Sequence, residues 1–524
     1  MPENYWRIIT LLTPLLLLTA AMNASQWDEF SHWLPAKDFL INTGGFPTTK
    51  NPTTGTPLYN AYPFAWPILT MLPSLAVSQS LEMSAGIFNL LMLSLIGILS
   101  VKIFFKFSNL NQNKKNVWGI GAISILMGTA LNPTFIQKIV LTNYADVATA
   151  VCTAISVYLG WELLNALSRK DSGGIHLFGA QFGLVMALLV NIKQSNLALF
   201  GVITIALVIV TSRDKSLNLG DLLKKLPMLL GPGLLIYLIW RYHVSISLGE
   251  GAVEATFMPI ENWNFGIIHL IIKQMLYVAF KKIGFFGLMG FASIIAFRYL
   301  KKINNEYERL ITILALVFLG HNAFLLLTYI GSFSKATALT VVSYWRYNTH
   351  VGLLAVIFIA VYAAQFSHKG LIQKVKDWPI QKISIILVLA LPIIFSPKLR
   401  FDLQPPKPHI NKVAKELANY LQPSDTLHIL DPLGTGESVV ITRYRINRNI
   451  GFLWSKHWNS SYEDIKKFAS TVQNSGYLLI HSANKNLLVF FPNTKKNASH
   501  LMQKRNKKWY KIKSWEFPDN HSPT

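Results

Sequence analysis

Eleven apolar runs, each 15–22 residues long, recur along this chain, and no water-soluble domain buries that many. They fall near 8–24, 84–105, 117–132, 145–165, 175–191, 195–211, 226–240, 283–299, 310–330, 350–366 and 382–397. A helix crossing the hydrocarbon of a bilayer takes about 20 such residues. Only 14% of the residues are charged, where a soluble chain carries about 25%. The reading is a polytopic α-helical membrane protein of about 11 transmembrane helices, with residues 1–397 forming the membrane domain.

Sidedness follows from lysine and arginine. The run 63–79 is apolar but broken by Pro63, Pro67 and Pro73, so it reads as a short helix that does not cross. Lys102, Lys106, Lys114, Lys115, Arg169, Lys170, Arg213, Lys215, Lys224, Lys225, Arg298, Lys301, Lys302, Arg309, Lys369, Lys374, Lys376 and Lys382 then fall on one side, which the positive-inside rule makes cytoplasmic. Lys281 and Lys282 fit this plan as snorkelling residues on a surface helix at 267–282. The formal net charge of +24 belongs to these loops and to anionic headgroups, which disfavours nucleic acid as a partner. Arg7 and the apolar run after it read as an uncleaved first span. The N-terminus is expected inside, and an odd number of spans puts 398–524 outside, as in an inner-membrane protein.

That outer segment reads as a small α/β domain. Pro-rich 404–408 is a linker, His409–Leu421 and Glu463–Val472 are helices, and Thr426–Leu430 and Val439–Tyr444 are strands. Tyr477–Ile480 and Leu487–Phe491 read as a hairpin around Asn484 and Asn486. Gly434-Thr435-Gly436 lacks the spacing of a phosphate loop and reads as a turn. The single cysteine, Cys152, lies in an apolar run, so no internal disulfide forms.

Polar groups that are unusual beside a bilayer collect at one face. Asp28 and Glu29 open a long first outer loop, 25–82, within an amphipathic stretch Trp27–Ile41 suited to lie in the membrane interface. His32 follows, and Tyr62 and Trp66 come later in that loop. Asp146 sits in Asn143-Tyr144-Ala145-Asp146, Lys193 between the fifth and sixth spans, and Arg346 and Tyr347 in Ser343-Tyr344-Trp345-Arg346-Tyr347. Each has a structural alternative. Asp28 or Glu29 would cap a helix, Asp146 would pair with Lys138 or Lys193, and the cations and aromatics would anchor the interface. Glu254 and Glu261 read as solvated, and His321 as satisfied by a neighbouring helix.

The order and sidedness of these residues resemble the GT-C superfamily of polyprenyl-phosphate-sugar-dependent glycosyltransferases, nearest the protein O-mannosyltransferase and lipid A aminoarabinose transferase branches. The resemblance implies a GT-C-like membrane domain, a polyprenyl-phosphate sugar as donor, and a lipid, glycan or protein acceptor. It implies that Asp28 acts as general base with Glu29 supporting it, and that Lys193 and Arg346 hold the donor phosphate. Asp146 would hold a cation, a metal or the acceptor, and Tyr62, Trp66, Tyr347 and His32 would line the substrate groove. A divalent metal, Mg or Mn, is a possible cofactor within the superfamily. The chain departs from the family pattern after the acidic pair, where Phe30, Ser31, His32 and Trp33 stand instead of a nearby tyrosine. Two other classes remain open: an O-antigen polymerase or ligase built on outer arginines, and a lipid-linked sugar transporter or flippase.

Overall fold

A computed structural model describes residues 5–54, 60–108, 117–249, 256–368, 379–422, 424–431, 434, 436–446, 461–471, 476–483, 485–495 and 497–518. Lys114, Lys115, Glu254, Lys369, Lys374, Lys376, Thr435, Val472 and Asn484, all used above, lie outside them. The chain forms two compact units, one of residues 1–21 and 61–396 and one of residues 22–60 and 397–524. The long first loop is therefore divided between them.

The first unit is helical. A helix occupies each of the eleven runs: Tyr5–Ala20, Ser84–Phe107, Val117–Gly128, Asp146–Arg169, Ser172–Ile192, Leu197–Arg213, Leu226–Ser247, Ile283–Tyr299, Glu306–Gly331, Leu353–His368 and Ile380–Ile394. By length and composition, seven helical stretches among the described residues can cross a membrane. A bent pair, Tyr344–Val351 with Leu353–Gln365, makes an eighth, its halves 49° apart. The proline-broken run forms the helix Ala65–Ala76, whose 12 residues are about 18 Å long, and four of the eleven expected spans, Tyr5–Ala20, Val117–Gly128, Ile283–Tyr299 and Ile380–Ile394, are likewise helices of 17 residues or fewer. The stretch expected as a surface helix is helical, Ile268–Lys281, but it is part of one of the seven stretches long and apolar enough to cross. Its stretch, Ile260–Lys281, is the least apolar of the seven, at a mean hydropathy of 1.2.

The 146–169 helix is the centre of this unit. Its spanning window is 89% buried, against 56% or less for the other six. Ala148, Ala150, Ala154 and Gly160 keep its surface narrow, so neighbouring backbones approach closely. At its far end Asn165 accepts from Arg309, which also donates to Asp214 and Ser216. Arg309, read above as an inner-loop cation, is thus buried in a polar tie between helices. Asn165 lies 19 residues from Asp146, about 28 Å along the axis, so one helix carries a charged cluster at each end.

The second unit holds a four-stranded sheet in the order β1-β2-β3-β4. Strands β1 (Leu427–Leu430) and β2 (Tyr477–Ile480) are parallel. Strands β3 (Ala498–Arg505) and β4 (Lys508–Glu516) continue the sheet antiparallel, joined at Asn506 and Lys507, both with positive φ (48° and 65°), as a tight hairpin turn requires. Three expectations fail here. Val439–Tyr444 lies in a helix, Glu437–Ile446, and 487–490 in a helix, Lys485–Phe490, so the hairpin is β3–β4 instead. The run Val439-Val440-Ile441 has the composition of a strand, but packing overrides it. Val439 joins one apolar cluster, while Val440 and Ile441 join another with Phe30, Leu34, Ile410 and Ala414.

That second cluster also corrects the reading of 27–41. Residues Glu29–Trp33 form a turn of π-helix that continues into the helix Leu34–Thr43. Phe30, Trp33 and Leu34 are buried, and Phe30 and Leu34 pack on the helices Lys407–Leu417 and Glu437–Ile446, not on a membrane interface. Tyr444 Oη donates to Asp38 at 2.8 Å, and Asp402 accepts from the Asn23 backbone at 3.1 Å.

Two predictions follow from packing and burial. A Cβ on Gly97 would run into the carbonyl oxygen of Ser124, and one on Gly128 into that of Leu93. Gly97→Val should therefore lower stability by about 3 kcal/mol or more, read as a drop in the thermal midpoint of the detergent-purified protein. In the second unit, burial pushes His409 down to about 4 and lowers His428, His481 and His500. The unfolded chain, with histidines near 6.5, then binds more protons than the folded one between pH 6.5 and 4. Stability of this unit should be full above pH 6.5 and decline as pH falls toward 4, measured by near-ultraviolet circular dichroism.

Candidate functional site

The site in the first unit grows from the start of the 146–169 helix. Asp146 occupies the first helical position, where the helix dipole favours a carboxylate. The turn leading into it is pinned from behind. Asn89 donates to the carbonyls of Val140 and Thr142, both at 3.1 Å, and the Trp66 indole donates to that of Asn143 at 2.9 Å.

Lys193 stands where the 172–192 helix stops. Its extended backbone separates that helix from a single 3₁₀ turn, Gln194–Asn196. Asn196 anchors this break by donating to Thr149 Oγ1 at 3.1 Å and to the Leu189 carbonyl at 2.9 Å.

Arg346 and His350 come from the broken start of the 353–368 helix. Val341 and Ser343 both have positive φ (41° and 62°) and turn the chain into the short helix Tyr344–Asn348. A β-branched residue in that conformation costs about 1–3 kcal/mol, and here its side chain is buried among Ile271, Tyr329 and Tyr344. Hydrogen bonds fasten the segment to the 306–331 helix: Tyr344 Oη to Asn322 at 2.6 Å, Asn322 to Asn348 at 3.1 Å, and Tyr329 Oη to the Val342 carbonyl at 2.6 Å. His321 Nε2 lies 3.0 Å from the Tyr347 carbonyl, while its buried Nδ1 has no hydrogen-bond partner among the described residues, so the neighbouring segment satisfies it only in part.

These segments converge on one carboxylate. Arg346 donates from Nε to Asp146 Oδ1 at 3.1 Å and from Nη2 to Oδ2 at 3.0 Å, a two-point fork. His350 Nε2 lies 3.0 Å from Oδ1, and Lys193 Nζ lies 3.5 Å from Oδ2. The Asp146 side chain is fully buried, those of Lys193 and His350 are 9% and 8% exposed, and that of Arg346 is 24% exposed. The Arg346 guanidinium also sits 4.3 Å from the centre of the Tyr144 ring. Two full cations face one carboxylate in a largely dry setting, so the cluster carries surplus positive charge and suits an anion. It does not suit a divalent metal. Asp146 is already engaged by cations, and no group of three His, Cys, Asp or Glu residues among the described residues is placed to hold an ion.

The sequence-predicted residues divide between the units. Asp146, Lys193 and Arg346 meet. Trp66 is 1% exposed and supports the turn before Asp146 from inside, while Tyr62 and Tyr347 are half-buried. Asp28, Glu29 and His32 belong to the second unit. The Glu29 carboxylate accepts from the backbone N–H groups of Ser25 and Gln26, both at 2.8 Å, and is fully buried. Asp28 is half-buried and makes no capping hydrogen bond to the helical turn it precedes. His32 is buried, with Nδ1 2.8 Å from Ser31 Oγ. The second unit also holds a cleft of about 490 Å³ lined in part by Asp38, Asn42, Lys50, Tyr444 and Arg445.

His350 was missed because His-Val-Gly reads as the start of a span. Its signal was the spacing of four from Arg346, which puts both on one side of a helical turn.

No protein-family model matches the chain, and no curated protein matches it. Solved structures do. ArnT from Cupriavidus metallidurans, bound to undecaprenyl phosphate, aligns over 96% of each chain with a TM-score of 0.57 at 11% identity. The same protein in the apo state aligns over 96% of each chain with a TM-score of 0.56 at 12% identity. This chain has the ArnT fold. The likeness in fold takes in both the helical unit and the terminal sheet of this chain, since 96% of it aligns.

The engagement of Asp146 is testable as stability. Removing one partner of a buried ion pair costs about 3–5 kcal/mol, because the other charge stays buried. Arg346→Ala should lower the thermal midpoint, and adding Asp146→Asn should restore much of the loss. The coupling is read from a double-mutant cycle.

Proposed function

We propose that this chain is an integral membrane glycosyltransferase that moves a sugar from a polyprenyl-phosphate donor to an acceptor hydroxyl on the extracytoplasmic face, with inversion at the anomeric carbon. The observation that carries this reading is the convergence of Arg346 and Lys193 on one buried carboxylate in a chain that matches ArnT from end to end. The solved ArnT structure with the same fold holds undecaprenyl phosphate, a ligand whose headgroup needs such cations.

In this mechanism Arg346 and Lys193 bind the donor phosphate and stabilise the charge that grows on it as the anomeric C–O bond breaks. Exclusion of water strengthens both contacts. Asp146 orients the two cations and keeps the site from attracting anions without limit. Its two-point hold on Arg346 fixes the plane of the guanidinium before substrate arrives. The acceptor oxygen attacks the anomeric carbon, the electron pair of the broken bond goes to the phosphate oxygen, and the acceptor proton goes to a general base, the role that residue order gives Asp28. Asp28 takes the base role from its place after the first apolar run, with Glu29 as its support. Tyr62 and Tyr347, half-buried, are the aromatic candidates for contact with sugar or lipid. The N-terminus is inside and the 398–524 domain outside, by the lysine and arginine bias of the loops.

The test is transfer in proteoliposomes with a panel of polyprenyl-phosphate sugars. Asp28→Asn should reduce turnover by about 10²–10⁴-fold without loss of membrane expression. Lys193→Ala should raise the donor KM. Full activity of Asp28→Asn removes the base assignment, and a dead Arg346→Ala enzyme alongside it would favour an arginine-based polymerase or ligase.

A further inference from the structure

The lipid phosphate changes charge during the proposed reaction. The donor is a phosphodiester with one negative charge. The product is a phosphomonoester, which carries about −1.5 to −2 at pH 7. Arg346 and Lys193 against the single Asp146 carboxylate leave one surplus positive charge while His350 is neutral. That surplus matches the donor and falls one short of the product.

His350 lies where the missing charge belongs. Its Nε2 faces Asp146 Oδ1 at 3.0 Å, and its ring is 6.1 Å from that of His321 and 6.2 Å from that of Tyr347. Asp146 faces it from the 146–169 helix, Lys193 from the break after the 172–192 helix, His321 from the 306–331 helix, and Arg346 and Tyr347 from its own segment. Of these groups only Asp146 favours an imidazolium. While Arg346 and Lys193 hold Asp146, they oppose a third cation. Once both turn toward a dianion, Asp146 is left for His350 to neutralise.

We infer that His350 takes up a proton when the site holds the released lipid phosphate, so that binding of product, and not of donor, is coupled to protonation. The inference rests on the assignment of Arg346 and Lys193 to the phosphate. It makes His350 a positioning and charge-balancing residue, and it makes product release faster as pH rises.

The experiment uses the full chain in lipid nanodiscs, with farnesyl phosphate as the monoester probe and methyl farnesyl phosphate as the diester. Calorimetry between pH 7.5 and 8.5, where the phosphate itself is largely ionised, reads affinity and proton uptake in buffers of different ionisation enthalpy. A group whose affinity for protons rises on binding makes binding weaken with pH, by up to about tenfold per unit for one proton. The monoester should show this slope with net proton uptake, and the diester should show neither. His350→Gln, whose amide can still donate to Asp146, should bind the monoester without a pH slope. Both probes binding with no slope in the wild type, or the slope persisting in His350→Gln, would overturn this inference alone. Failure of both probes to bind, or undiminished binding in the Lys193→Ala/Arg346→Ala double variant, would overturn the phosphate assignment as well.

Discussion

A carboxylate with no exposed surface holds the chemistry of the helical unit together. Asp146 is stable there only because Arg346, Lys193 and His350 surround it, and these come from two breaks in regular structure, one after the 172–192 helix and one before the 353–368 helix. Regular helices satisfy their own backbone and present side chains sideways. A stopped helix, a 3₁₀ turn and a bent span instead aim charged groups along the helix axes into one place. The breaks are therefore the price of the site, and the hydrogen bonds of Asn89, Asn196, Asn322 and Asn348 hold them in register.

The same logic explains why the 146–169 helix is the most enclosed element. It carries Asp146 at one end and, through Asn165, joins the Arg309 cluster at the other. Charged ties at both ends and small residues between them fix its height and rotation against its neighbours. A buried charged cluster needs a scaffold that does not slide, and lipid offers no hydrophobic drive to hold helices together.

Much of the membrane unit was legible in residue order because hydropathy reports burial in lipid directly. All eleven apolar runs contain helices, and the proline-broken run at 63–79 is short as its prolines require. The second unit was less legible. Val439–Ile441 and 487–490 have the composition of strands, yet both are helices, because packing against the 407–417 helix and the sheet outweighs a propensity difference of about 1 kcal/mol. The amphipathic stretch at Trp27–Ile41 was visible, but amphipathicity does not say what covers the apolar face. Phe30 and Leu34 turn out to pack on protein.

For the site, residue type and order were enough to single out Asp146, Lys193 and Arg346, since an ionised group at the end of an apolar run is costly without a purpose. Order was not enough to find His350 or to show Trp66 as an internal support. Those depend on where side chains point after the helices have packed. The sequence by itself determined the class of protein, the helical runs and the charged groups, because transfer from water to lipid is set residue by residue. Tertiary structure alone decided which charges meet, because contacts between residues 146, 193, 346 and 350 arise only once distant helices share a boundary.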